Sequence, residues 1–90
     1  MTRGPRAGYS EVADRQLDEM ESTRPASVVA AVIETCEWIL DHPAAAQSRS
    51  AAITTPDGIR FRLAVSGAEG IKVFWSSDGP RIEAVFPYPT

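Results

Sequence analysis

The chain has 90 residues, 43% of them hydrophobic and 23% charged, and a net charge of −3 at neutral pH. That length suits one domain with a modest core, the composition excludes a disordered chain, and the acidic balance argues against a dedicated nucleic-acid binder. The lone Cys36 cannot close an internal disulfide, and the longest apolar run, 28–33, is too short to cross a bilayer, so a cytoplasmic, non-membrane protein is expected.

The opening "MTRGPRAG" combines glycine, proline and two arginines without an apolar period, and residues 1–8 read as a flexible N-terminal arm ahead of a single α+β domain over 9–90. A first helix is expected from Glu11 to about Glu21, with Ser10 as N-cap and acids in its early turns where the helix dipole favours them. Its apolar stripe is Ala13, Leu17 and Met20, with Val12 beside it. Pro25 breaks the pattern and opens a second helix to about Asp41. Val29, Val32, Ile33, Cys36, Ile39 and Leu40 fall within about 100° of one another on that helix. Trp38 lies outside the stripe. Either the first helix packs over it, or it is an exposed partner-binding tryptophan. Pro43 ends the helix, and "AAAQSRS" reads as a loop or a frayed helical end.

The rest of the chain alternates. "AAITT" and "IRFRLAV" flank Pro56-Asp57-Gly58, a hairpin turn signal; "SGAEG" and "SDGP" turn the chain before "IKVFWS" and "RIEAVF". The fold class expected is a helical hairpin packed on one face of a three- to four-stranded antiparallel meander sheet. Ile59, Phe61, Leu63, Val65, Val73, Trp75 and Ile82 are expected to face the helices, which leaves Arg60, Arg62, Lys72 and Phe74 on the other face.

Charge is unevenly distributed. Residues 9–42 hold eight acids against Arg15 and Arg24, whereas 43–90 hold four acids against Arg49, Arg60, Arg62, Lys72 and Arg81. One histidine and one cysteine make a zinc site untenable, and Cys36 sits in the buried stripe, away from any pairing with His42. No phosphate loop or dinucleotide fingerprint is present, and neither a metal nor a cofactor is expected. Across the strands Arg62 should stand opposite Phe74, with Glu83 opposite Phe74 on its other side, Arg60 and Lys72 flanking this row and Arg81 at its rim. Cations beside an aromatic ring suit single-stranded nucleic acid, since the cation holds phosphate while the ring stacks a base. The competing reading is a solvated face with ion pairs such as Arg62–Glu83.

The element order resembles the RelE/ParE superfamily of bacterial toxins. The matching stretches are "ADRQLDEM", "VVAAVIETCEWILDHP" and the strands "IRFRLAV", "IKVFW" and "RIEAVF". The resemblance implies a type II toxin-antitoxin toxin held by an antitoxin that adds a strand or helix to it. It places Arg60, Arg62, Lys72 and Arg81 at strand positions where ribonucleolytic members carry cations, and Tyr88 at their C-terminal aromatic position. Such members cleave ribosome-bound mRNA without metal, by attack of a 2′-OH on the adjacent phosphate, and Glu83 is then the candidate base. Gyrase-directed members need no catalytic set, so a metal-independent endoribonuclease and a topoisomerase-directed toxin both remain open, and so does a homodimer. The alternative is a non-catalytic protein-protein interaction module, a phage or accessory protein that binds through Trp38 and its sheet edges.

Overall fold

The chain is described over residues 6–87 by a computed structural model. Ser10 starts the first helix, α1 (Glu11–Thr23), as its sequence position suggests: the Oγ accepts from the Ala13 N–H at 3.0 Å and satisfies an amide that has no partner within the helix. The same hydroxyl donates to the Glu83 carbonyl at 2.6 Å, so one side chain caps the helix and ties it to the last strand. Ala13, Leu17 and Met20 are buried, and Val12 is exposed. Pro25 precedes α2 (Ala26–Asp41), whose Val29, Val32, Cys36 and Ile39 are buried, with Ile33 and Leu40 half-buried on the flanks of the stripe.

The stretch expected as a loop or frayed end is instead a third helix, α3 (Pro43–Arg49). Proline is favoured in a first turn, where its missing N–H costs nothing, and the three alanines after it are strong helix formers. Ala46 is fully buried and anchors this short helix, which is too short to stand alone.

Four strands follow as an antiparallel sheet in sequence order: β1 (Ala51–Thr55), β2 (Gly58–Ala64), β3 (Ile71–Ser76) and β4 (Arg81–Pro87). Pro56 and Asp57 form the first hairpin turn between paired Thr55 and Gly58, and Gly58 takes φ of 117°, a conformation that side chains resist. Thr55 locks the turn: its Oγ1 accepts from the Asp57 N–H and donates to the Gly58 carbonyl.

The helices cover one face of this sheet. α1 lies along β4, α2 crosses β3 and β4, and α3 reaches β2. Between the layers Trp75, Leu17, Ile39, Ile82, Val32, Val73, Val85 and Cys36 are fully buried. The Trp75 ring packs on Phe61 at 5.1 Å, and its Nε1 donates to Ser50 Oγ at 3.1 Å, so its one polar atom is satisfied. Phe61, Val65, Val73, Trp75 and Ile82 are buried as their phase implies, and Leu63 is half-buried. Ile59 departs from that expectation: it is 58% exposed. It has the helix-side phase but lies beside the hairpin turn, opposite Thr54 of β1, beyond the area that the helices cover. Among the described residues no helix is long and apolar enough to cross a membrane.

Candidate functional site on the open sheet face

The face away from the helices is built in rows. Arg60 pairs with Ile53 near the hairpin end; Arg62 stands opposite Phe74, which stands opposite Ala84; Ala64, Lys72 and Phe86 form the far row. The Val65 N–H bonds the Ile71 carbonyl, which sets the phase of the β2–β3 ladder and makes Arg62–Phe74 a non-hydrogen-bonded pair. In such pairs the Cα atoms are only about 4.5 Å apart and the side chains lie closest. Phe74 meets Phe86 edge to face at 5.4 Å, and Phe86 is exposed. Arg60 folds back over the hairpin, its Nη1 donating to the Ile59 carbonyl at 3.2 Å and weakly to that of Asp57 at 3.5 Å. From the Arg60 level to the Lys72 level is four residues of strand, about 13 Å. The three cations thus form a tract suited to an extended ligand rather than a cradle for one anion.

Glu83 does not stand opposite Phe74. A register shift beside Phe74 inserts one extra residue into β4, and Ala84 takes that place. Ile82 and Val85 are both buried although three residues apart, so strict alternation fails between them. The Glu83 carboxylate is engaged at the rim: Oε2 accepts from Ser76 Oγ at 2.8 Å, and Oε1 lies 3.7 Å from Arg81 Nε. The structure therefore brings Arg60, Arg62, Lys72 and Phe74 onto one face and holds Arg81 with Glu83 at the end of the sheet opposite Lys72. Tyr88 lies outside the described residues.

Phe86 is the member of this face that sequence reasoning missed. Simple alternation from Ile82 sends Ala84 and Phe86 toward the helices; the extra residue sends them to the open face and Val85 into the core. The inward need of two β-branched residues three apart, Ile82 and Val85, is the one local hint of it.

Trp38 belongs to a different surface. It is half-buried in a groove between α2 and β2, with Leu63 and Thr35 on the walls. The Arg49 guanidinium of α3 sits 5.3 Å over its ring and the His42 ring is 6.0 Å away, so α3, and not the first helix, covers it. Cys36 is fully buried, and its thiol is pushed up to about 12, chiefly by burial and then by the Glu37 charge, which leaves no thiolate for catalysis. Among the described residues no group of three or more histidine, cysteine or acidic side chains could hold a metal ion. No protein-family model matches this sequence, and neither does a curated protein or a solved structure.

Proposed function

We propose that this chain is a toxin-like protein of the RelE/ParE type that acts by binding, through the open face of its sheet, and is held by an antitoxin. The observation that carries this reading is the Arg62–Phe74 pair, flanked by Lys72 and Phe86, on the face the helices leave uncovered. Cations there attract an anionic chain and the rings offer stacking surface. Glu83 supports a binder over a nuclease, because its carboxylate is already engaged by Ser76 and Arg81. The only histidine of the chain is on the helix side, at the end of α2. The target is the translation machinery or a topoisomerase.

Induced expression in bacteria tests the reading. Growth arrest by the wild type, relieved by Arg60→Ala with Arg62→Ala and retained by Glu83→Gln, is the expected result. Cell-free translation and DNA supercoiling assays then separate the two targets. Relief of arrest by Glu83→Gln alone, with mRNA cleavage in the wild type, would establish the nuclease instead. A second reading, a non-catalytic interaction module, is favoured by Trp38 lying under Arg49 at an open groove. Normal growth on expression of the folded wild type would leave that reading as the better one.

A further inference from the structure

The outer edge of β4 is closed in two ways. Toward its end, the Val85 N–H donates to Gln16 Oε1 of α1 at 2.7 Å. At its start lies the segment before α1: the Ser10 N–H donates to the Ile82 carbonyl at 2.9 Å, and the Ile82 N–H to the Gly8 carbonyl at 2.8 Å. Tyr9 and Ser10 are buried and hydrogen-bonded through their side chains, so that half of the segment belongs to the core. Arg6, Ala7 and Gly8 are held differently. Ala7 is exposed and Gly8 has no side chain to bury. Arg6 instead grips α1 by charge: its guanidinium donates to Asp14, lies 3.5 Å from Asp18 and reaches Glu21 at 2.8 Å, a row spaced i, i+4, i+7 along one helix face. The Arg6 carbonyl accepts the Tyr9 N–H at 3.1 Å and closes a turn. Gly8, at the third position of that turn, has φ of 82°, and a Cβ there would come within 3.0 Å of Leu40.

We propose that residues 6–8 are an ion-pair latch over the Ile82 N–H, pivoting at Gly8 and released by salt while the rest of the domain stays folded. The contrast in what holds each half of the segment carries this. Salt does not weaken the burial that fixes Tyr9 and Ser10, but it screens the charges that fix Arg6. Ions reach that network, because the Asp18 and Glu21 side chains are 49% and 47% exposed. Ion pairs this exposed are individually weak, and three on one cation make a contact that opens and closes. Gly8 supplies the pivot, since its backbone is the least restricted in the segment. On opening, the Ile82 N–H loses its acceptor and Leu40 loses the backbone packed against it, while the Ser10 and Val85 hydrogen bonds remain. The start of β4 then offers a main-chain donor to an incoming extended chain, and the closed latch withholds it. Access to this edge is thereby tied to ionic strength. The latch does not depend on the toxin-like reading.

Amide hydrogen exchange of the full chain, resolved by NMR at fixed pH, tests it. Raising sodium chloride from about 0.1 M to about 1 M shortens the screening length from about 10 Å to about 3 Å. Exchange of the Ile82 N–H in the wild type should then quicken about threefold to tenfold, with the Ser10 and Val85 amides unchanged. Arg6→Ala should bring about tenfold faster exchange at Ile82 already at the lower salt and abolish the further response. If that variant fails to fold, Glu21→Gln, which removes one exposed partner, should give about a threefold effect at the same amide. An Ile82 amide indifferent to salt and to these substitutions overturns the proposal. So does a rise shared equally by Ser10 and Val85, which would mean that the whole edge opens as one unit.

Discussion

The Tyr9 hydroxyl donates to Glu37 Oε2 at 2.6 Å, joining the segment before α1 to the middle of α2. Tyr9 is itself buried and forms a parallel bridge to Ile82, so this residue clamps α2 to the β4 edge. Burial, and then the hydrogen bond to Glu37, raise the phenol well above its usual range. Tyr9→Phe should cost about 1.5 kcal/mol, the lower end for a bond to a charged acceptor, because Glu37 is exposed and regains water. Urea denaturation should show an earlier midpoint with an unchanged slope.

Stability should fall as the solution becomes alkaline. Both Cys36 and Tyr9 have folded-state pKa values raised above their ordinary ones. The folded chain therefore keeps these protons after the unfolded chain has released them. The stabilisation is complete below the unfolded thiol value, about 8.5, and is lost from there upward, through the folded Cys36 value of about 12. Cys36→Ala should flatten this decline between about pH 9 and 11, measured as denaturation midpoints across pH, and the native thiol should resist alkylation at pH 8.

Leu17→Ala and Ile59→Ala should separate sharply. Leu17 is fully buried between α1 and the sheet, so truncation should cost about 2–4 kcal/mol. Ile59 is 58% exposed, and its truncation should stay within about 0.5 kcal/mol. Thermal melts of the two variants check this difference.

Arg60→Ala with Arg62→Ala should leave the melting temperature nearly unchanged, since neither residue is part of the buried core. Single-stranded RNA bound on the open face should weaken steeply with salt in the wild type. The double variant should reduce the log–log salt slope by about 1.4, because two phosphates are no longer neutralised by the protein. Fluorescence anisotropy titrations at several salt concentrations provide the measurement, and a wild-type slope near zero would show that this face binds no phosphate.

Much of the architecture is local in origin and so legible in the chain. Ser10, Pro25 and Pro43 punctuate the helices through their own capping and backbone chemistry, and Pro56-Asp57-Gly58 turns the first hairpin through its own dihedral preferences. Period-2 alternation in "IRFRLAV" and "IKVFW" separates Phe61, Val73 and Trp75 from Arg60, Arg62 and Lys72, because successive strand residues must face opposite ways. Other features have no local cause. The extra residue at Glu83 exists because Ile82 and Val85 are both drawn into the core while the Glu83 carbonyl accepts the Ser10 hydroxyl, a contact across 73 residues. That insertion alone puts Phe86 beside Phe74. Likewise Ile59 has the phase of a core residue and is left in water beyond the area that the helices cover, and Trp38 is covered by Arg49 of a short helix held by packing on α2 and β2 and by the burial of Ala46. Propensity and periodicity act within a few residues and were enough to determine α1, α2, the four strands and the faces of β2 and β3; that the segment after Pro43 winds into α3, which faces meet, where the β4 ladder slips and what stays uncovered depend on elements distant in sequence, and only their packing decided those.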